Sequence, residues 1–309
     1  MARPTQPPLI AIVGPTASGK TDLALAMAQR LPLEILVADS RQVYRGMDVG
    51  TAKPDAAAQK SVPHHLLDLV DPDQPFTVAA WVEGARALIP QVAARGRLPV
   101  VVGGTGLYVS ALVDGHDYAS QPWSPEIRSR MADELAADGL EPLADRLRRA
   151  DPATRVDLRN PRRVLRALER LEAGGSAPGA EPYAGRVFML GIDRPRELLY
   201  RRIDRRTEWM FTDGGLLDEV RRLLDAGYGA GLRPMTGHGY REAIAHLAGE
   251  WSLERAIDVT ARHTRQYAKR QLSWFRRDRR IVWLPAGDRP ADDPGLVGDA
   301  DRLVRVALS

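Results

Sequence analysis

The sequence predicts an α/β fold in which helices flank a mainly parallel sheet. Apolar strand-like runs recur along the chain, and amphipathic helical patterns separate them, an alternation typical of parallel sheets. These runs cover residues 9–13, 34–38, 98–102, 186–192 and 281–284. With 309 residues, 44% of them hydrophobic, the chain can form a large core together with an insertion or a second domain.

The composition favours a soluble protein of the cytoplasm. No apolar segment approaches the length of a bilayer, and residues 1–8 lack the apolar core of a signal peptide, so we expect no membrane partner. The absence of cysteine excludes disulfides and thiolate metal sites. The formal net charge of +4 is modest. Any argument about partners must therefore rest on where the basic residues lie.

A glycine-rich phosphate loop joins the first strand to the first helix. The loop, Gly14-Pro15-Thr16-Ala17-Ser18-Gly19-Lys20-Thr21, lies between the run at 9–13 and a helical pattern over 22–31. Its N–H groups can surround phosphate oxygens at a helix N-terminus, Lys20 can reach the outer phosphates, and the Thr21 hydroxyl can ligate Mg²⁺. The predicted fold is therefore P-loop NTPase-like, with a diphosphate or triphosphate as ligand.

Two further polar loops follow strand-like runs. Asp39-Ser40-Arg41-Gln42 follows 34–38, and Gly103-Gly104-Thr105-Gly106 follows 98–102. Because ligands bind at the carboxyl ends of parallel strands, we expect both loops beside the phosphate loop. Asp39 is a candidate general base, or alternatively a helix cap or a magnesium ligand through water. Thr105 can orient a substrate or complete an ordinary turn.

An arginine lies on the apolar face of the helix predicted over 196–211. On a helical wheel, Arg206 falls among the apolar residues Leu199, Ile203 and Met210. Burial of an unpaired guanidinium is costly, so Arg206 either extends to solvent or faces an anion, and the anion is favoured. Arg201 and Arg205 lie on other faces, where a solvated surface explains them.

A long helix predicted from Ser252 to about Phe275 carries a basic stripe. Its cationic and polar side chains share roughly 100° of the helix surface, and no acidic residue occurs between Val259 and Arg277. The stripe consists of Arg262, Arg265, Gln266, Lys269, Ser273 and Arg276. A charged solvent face and a nucleic-acid footprint both fit this pattern, and the single sign of charge favours the footprint.

The chain divides by composition into a core and an insertion. Charged, alanine-rich helical sequence with several prolines occupies residues 119–183, and it closes with a Gly- and Ala-rich segment at 174–180. We predict the first part of the core at 1–118, a helical insertion domain at 119–183, and the completion of the core with the basic helical region at 184–309. No internal repeat of solenoid period is present.

Six segments together resemble the bacterial tRNA dimethylallyltransferases of the IPP transferase family. They span nearly the whole chain in order, and the most specific, 39–54, follows the phosphate loop. The segments are 14–21, 39–54, 63–68, 102–108, 160–164 and 264–271. The chain departs from the family pattern at 174–180, which looks shortened, and at His238, where the family usually has an aliphatic residue.

The resemblance implies a prenyl transfer to tRNA. The dimethylallyl group of dimethylallyl diphosphate would move to N6 of the adenine immediately 3′ of the anticodon, position 37, in tRNAs that read codons starting with U. Residues 14–21, with Mg²⁺ at Thr21, would hold the diphosphate. Arg206 would neutralise the developing charge, Asp39 would accept the N6 proton, and Thr105 would orient donor or acceptor.

The resemblance also implies an extended surface for the anticodon stem-loop. Ser40, Arg41 and Gln42 would grip the flipped-out adenine, and Gln42 would read its edge. The remaining expected tRNA contacts are Arg162, Arg163, Arg262, Arg265, Gln266, Lys269, Arg270 and Gln271. The insertion would thus contact tRNA, and no obligate protein partner is inferred.

Two other functions stay open from the residues alone. A P-loop small-molecule kinase would use ATP as donor, with the loop, Asp39 and Arg206 as phosphoryl-transfer groups, but it would leave the basic stripe unexplained. A nucleotide-gated RNA-binding protein would use the basic stripe but would not need Asp39.

Overall fold

The computed structural model describes residues 6–115, 124–174 and 181–309. Within them, one parallel sheet has the strand order β3-β2-β4-β1-β5-β6. The strands are β1 (Leu9–Val13), β2 (Leu33–Ala38), β3 (His64–His65), β4 (Leu98–Gly103), β5 (Val187–Asp193) and β6 (Ile281–Pro285). The predicted α/β class is confirmed. The short β3 was not predicted, because two residues show no hydrophobic period.

Helices fill the connections between these strands and follow the last of them. They are α1 (Lys20–Ala28), α2 (Ala56–Ser61), α3 (Val78–Ala94), α4 (Gly106–Asp114), α5 (Pro125–Asp138), α6 (Glu141–Ala150), α7 (Pro161–Glu172), α8 (Arg196–Thr212), α9 (Leu216–Asp225), α10 (Tyr240–Leu247), α11 (Leu253–Phe275) and α12 (Pro294–Leu308). Helix α1 begins at Lys20, inside the phosphate loop and earlier than predicted. None of the helices in the described ranges is long and apolar enough to cross a membrane.

The side chains of β1 alternate between two cores, one on each face of the sheet. Ile10 and Ile12 belong to the core that includes residues of α1 and α12, whereas Leu9, Ala11 and Val13 belong to the core with α3 and α4. Because helices cover both faces, every residue of β1 is buried. The central strand β1 therefore holds the phosphate loop on a rigid support.

Contacts divide the chain into two units. The first, residues 1–113 and 183–309, contains the whole sheet, and the second spans 114–182. The second unit packs α5, α6 and α7 around its own small core, centred on residues such as Met131, Leu147 and Leu168. Residues 175–180 of the predicted Gly- and Ala-rich segment lie outside the described residues, as does the predicted boundary at 118/119.

Candidate active site

The phosphate loop is a concave backbone turn at the end of β1. Gly14, Ala17 and Gly19 have positive φ angles of 145°, 63° and 96°, and such left-handed residues gather successive N–H groups into an anion-binding hollow. The N–H groups of Ala17 and Gly19 have no acceptor among the described residues. Because the protein gives these two donors no acceptor, they are available for a ligand oxygen.

Three arginines hydrogen-bond to consecutive residues of this loop. The bonds run from Arg206 Nη2 to Thr16 Oγ1 (2.6 Å), from Arg202 Nε to the Ala17 carbonyl (2.9 Å) and from Arg194 Nε to the Ser18 carbonyl (2.8 Å). Two of these bonds occupy the carbonyls of the turn, which keeps its N–H groups free for an anion. Arg206 thus faces the phosphate loop, on the side of α8 that the helical wheel predicted.

Sequence reasoning missed two of these arginines. Arg202 lies on α8 outside the apolar stripe, and Arg194 follows β5 in a segment without periodicity, so neither gave a signal of burial. Arg194 is only 6% exposed and also donates to the Gly287 carbonyl at 2.9 Å. Contacts with segments distant in the sequence position both arginines, and no local sequence pattern encodes such contacts.

Loss of the hydrogen bond from Arg202 to the Ala17 carbonyl should weaken binding of the diphosphate donor. In Arg202→Ala the Ala17 carbonyl loses a charge-assisted hydrogen bond, worth about 1.5–3 kcal/mol, so we expect the Kd of a diphosphate donor to rise roughly tenfold or more. Isothermal titration measures this value. The neighbouring exposed residue supplies the control, Arg201→Ala, which should bind as the wild type does. Equal diphosphate affinities of the two variants would show that Arg202 does not support the phosphate loop.

Lys20 lies between opposite charges inside the site. Its Nζ donates to the Pro15 carbonyl at 2.8 Å. Burial lowers the pKa of Lys20 to about 8, the carboxylate of Asp39 opposes that shift, and the guanidinium of Arg206 adds to it. The electrostatic influence of both groups on one ammonium shows that Lys20, Asp39 and Arg206 occupy one neighbourhood.

Donor affinity should therefore fall in mildly alkaline solution. The charged form of Lys20 is lost as the pH rises through about 8, whereas an arginine keeps its charge. We expect wild-type affinity for a diphosphate to fall about tenfold between pH 7 and pH 9, since one pH unit corresponds to 1.36 kcal/mol. Titration calorimetry should show no such fall for Lys20→Arg. An equal pH dependence in both proteins would refute the assignment.

The loops after β2 and β4 lie against each other, as predicted. The Ser40 N–H donates to Thr105 Oγ1 at 3.1 Å, and the Thr105 N–H donates to the Ala38 carbonyl at 3.1 Å. Asp39 Oδ1 accepts the Arg41 N–H at 2.9 Å, and no hydrogen bond reaches Asp39 Oδ2 from any described residue. One carboxylate oxygen is thus held in place while the other can accept a proton.

Gln271 joins the phosphate loop to the loop after β4. Its Oε1 accepts the Thr16 N–H and its Nε2 donates to the Gly104 carbonyl, both at 2.8 Å. A Cβ at Gly104 would lie 2.3 Å from that nitrogen, so any larger residue there would displace the Gln271 amide. Gln271 was expected to contact tRNA. The structure instead places its amide inside the protein, where it fixes the distance between the two loops.

Gln42 also differs from its predicted role. Its Nε2 donates to the carbonyls of Thr51 and Ala52, at 3.0 and 3.1 Å, and the residue is only 9% exposed. This nitrogen can read an adenine edge only by giving up both bonds. In the structure, Gln42 closes the turn of the 39–54 segment.

A buried carboxylate that the sequence did not reveal holds this segment. Glu219 of α9 accepts the N–H groups of Asp48, Val49 and Gly50, at 2.9, 2.7 and 3.2 Å. It also accepts the Tyr240 hydroxyl at 2.6 Å. Four donors converge on one acidic side chain, which explains why a glutamate is buried here.

Loss of that carboxylate should destabilise the fold. In Glu219→Ala, three partly buried N–H groups and the buried Tyr240 hydroxyl lose their acceptor at about 1–3 kcal/mol each, so we expect the free energy of unfolding to fall by roughly 3 kcal/mol or more. Urea unfolding followed by circular dichroism measures the change. The matched variant Asp218→Ala removes the neighbouring exposed carboxylate and should cost less than about 0.5 kcal/mol. Similar losses in both variants would disprove the anchoring role.

Most of the basic stripe is exposed on α11. Arg262, Gln266 and Lys269 of the stripe lie at the surface, as does the neighbouring Arg270. Arg265 is an exception, because it forms an ion pair with Asp204 of α8. Part of its charge is thus neutralised within the protein, which differs from its expected role as a phosphate contact.

The other predicted tRNA contacts are divided between the two units. In the second unit, Arg162 and Arg163 are exposed in the first turn of α7, where Asn160 caps the helix. In the first unit, the Arg41 guanidinium donates to the Arg233 carbonyl at 2.7 Å. Ser40 contributes its N–H to Thr105.

Thr21 suits the magnesium ligand predicted for the phosphate loop. Its hydroxyl has no hydrogen-bond partner in the described parts of the chain, so the oxygen is free to coordinate a cation. Those parts contain no cluster of three or more histidine and acidic residues arranged around a metal. Magnesium is commonly held by one or two protein oxygens together with substrate phosphates and water, and a single hydroxyl therefore fits it.

The parallel sheet, the central phosphate loop and the polar loops beside it define a protein with a P-loop-like fold. A family model described as IPP transferase matches residues 42–278, and one described as isopentenyl transferase matches 7–68. The chain belongs to the IPP transferase family.

Relatives of known name match along almost the whole chain. A tRNA dimethylallyltransferase from Geobacter metallireducens is 47% identical over 89% of this chain and 92% of its own. A tRNA dimethylallyltransferase from Nocardioides is 43% identical over 99% of this chain and 98% of its own.

Solved structures agree with the fold. The tRNA isopentenylpyrophosphate transferase of Bacillus halodurans has a TM-score of 0.73 at 38% identity, covering 97% of this chain and 96% of its own. A eukaryotic dimethylallyltransferase acting on tRNA has a TM-score of 0.77 at 25% identity, covering 95% of this chain and 77% of its own.

Proposed function

We propose that this protein transfers a dimethylallyl group from dimethylallyl diphosphate to N6 of adenine 37 in tRNAs that read codons starting with U. The names of its relatives support tRNA prenyl transfer rather than small-molecule phosphorylation. The observation that carries the proposal is the charge arrangement around Lys20. An anion cradle, a guanidinium and a carboxylate with one free oxygen lie together at the end of the sheet.

The reaction needs a proton acceptor and a stabiliser of the leaving charge from the residues of this site. The bond between C1 of the dimethylallyl group and the diphosphate oxygen breaks, and a bond from adenine N6 to C1 forms. The N6 proton moves to Asp39 Oδ2, and the electron pair of the broken bond leaves with the diphosphate. Lys20 and Arg206 stabilise that leaving charge, which is greater in the transition state than in the bound donor.

Magnesium would be held by the Thr21 hydroxyl and the diphosphate oxygens. When bound, it would neutralise charge on the leaving group. Thr105 would keep the Asp39 loop in place, because its hydroxyl accepts the Ser40 N–H. The target adenine leaves its stack at a cost of a few kcal/mol, which is smaller in a loop than in a duplex.

The choice of donor tests the proposal against the kinase alternative. The protein is incubated with an anticodon stem-loop, magnesium and either labelled dimethylallyl diphosphate or labelled ATP, and transfer of the label to RNA and release of diphosphate are measured. We expect RNA-dependent diphosphate release with the prenyl donor only. Phosphoryl transfer or hydrolysis from ATP, without prenyl transfer, would contradict the proposal.

A further inference from the structure

A large aromatic side chain is exposed on α11 beside the basic stripe. Trp274 is 39% exposed, although indole rings are usually well buried. It lines a shallow pocket of about 450 Å³. The residues around that pocket are all polar or cationic apart from the tryptophan: Gln266, Lys269, Arg270, Ser273, Trp274 and Arg277.

The indole ring of Trp274 stands at the edge of the active site. A Cβ at Gly106 would lie 2.3 Å from Cδ1 and 2.5 Å from Nε1 of the ring, so the ring rests directly on the Gly106 backbone. Gly106 follows Thr105, and the Cα atoms of adjacent residues are about 3.8 Å apart. A ligand on the open side of the indole would therefore lie beside the substrate crevice.

The cations of this pocket are not neutralised within the protein. Lys269, Arg270 and Arg277 form no ion pair with any described residue, whereas Arg265 and Arg276 of the same helix are paired with Asp204 and Asp193. Positive charge that the protein does not neutralise raises the local potential around the pocket, which attracts an anionic partner. An exposed aromatic ring among cations that form no ion pair is typical of a site that binds a single-stranded nucleic acid.

A protein partner fits this surface less well. The buried centre of a protein interface is usually depleted of charged residues, and here one indole lies among polar and cationic groups. Nucleotides offer the two features that the pocket complements, a flat π-face for the ring and a phosphate for each cation.

We propose that Trp274 is a stacking platform for an unpaired nucleotide of the tRNA anticodon loop, adjacent to the target adenine. Lys269, Arg270 and Arg277 bind the phosphates on either side of that nucleotide. Stacking on the indole offsets part of the stacking that the loop loses when the target base enters the crevice. This inference rests on the proposed function, because it requires the anticodon loop at this edge of the sheet.

Four variants test the platform by their affinity for an unmodified anticodon stem-loop. Alanine substitution of a stacking residue costs about 1–3 kcal/mol per base, so Trp274→Ala should raise the Kd of the RNA roughly tenfold. Trp274→Leu, apolar but without a π-face, should lose as much, whereas Trp274→Phe should retain most of the affinity. The matched control Trp209→Ala removes a tryptophan of α8 that is 50% exposed and should bind like the wild type.

Abasic substitutions identify the stacked nucleotide. Each loop nucleotide in turn is replaced by an abasic one, and the Kd is measured for wild type and Trp274→Ala. At one position flanking the target adenine, base removal should weaken wild-type binding about tenfold and leave Trp274→Ala unchanged, as a double-mutant cycle requires for a direct contact.

The outcomes separate this inference from the proposed function. Equal affinity of Trp274→Leu and the wild type, or additive losses at every loop position, would overturn the platform. A loss of affinity for dimethylallyl diphosphate alone in Trp274→Ala would assign the ring to packing against Gly106 and would also overturn it. These measurements need no turnover. Failure of the wild type to prenylate RNA would therefore count against the proposed function while leaving the stacking result intact.

Discussion

Replacement of Asp39 by asparagine is expected to lower the rate of prenyl transfer by a factor of about 10²–10⁴, the usual contribution of a positioned general base. Asparagine keeps an oxygen at Oδ1 to accept the Arg41 N–H. The loop should therefore keep its shape, and the affinities for tRNA and donor should change little. Single-turnover kinetics with saturating substrates measure the chemical step directly.

A neighbouring carboxylate provides the control for Asp39. Asp22 is exposed in the first turn of α1 and also contributes to the potential at Lys20. Because exposed charges contribute about 0–1 kcal/mol, Asp22→Asn should change the rate by less than about fivefold. A near wild-type rate in Asp39→Asn would remove this residue as the proton acceptor. An equal loss in both variants would show that only the general electrostatic field matters.

Replacement of Arg206 by alanine is expected to reduce turnover by about 10²–10³, comparable with the loss of one donor that stabilises a developing anion. The variant also loses the bond to Thr16 Oγ1. Since the charge on the diphosphate grows as the C–O bond breaks, the effect should fall mainly on the rate with bound donor and less on donor affinity. Rapid-quench measurements at saturating donor separate the two quantities.

The adjacent arginine of α8, Arg205, provides a control for the loss of one positive charge. Arg205 is exposed, so Arg205→Ala removes the same charge without touching the phosphate loop. We expect it to turn over like the wild type. Unchanged single-turnover rates in Arg206→Ala would refute a catalytic role for that guanidinium.

Local sequence patterns predicted much of the fold and the residues at the centre of the site. The apolar run at 9–13 became β1, and the helical wheel placed Arg206 on the correct face of α8. These predictions succeeded because strand burial and helical periodicity are properties of consecutive residues.

The errors and omissions arose where distant segments meet. Arg194, Arg202 and Glu219 anchor the loops through backbone carbonyls or N–H groups, which a sequence does not display. Gln42 and Gln271 were expected to face RNA because the family resemblance implied tRNA contacts at both positions. Both amides instead satisfy backbone groups inside the protein.

Nucleoside mass spectrometry tests the central claim most directly. Unmodified tRNA that reads a codon starting with U is incubated with the protein, magnesium and either dimethylallyl diphosphate or ATP, alongside the same tRNA with adenine 37 replaced. We predict N6-dimethylallyladenosine with the prenyl donor only, and none in the substituted tRNA. No prenylated nucleoside with either donor, or a product that persists without adenine 37, would contradict the account.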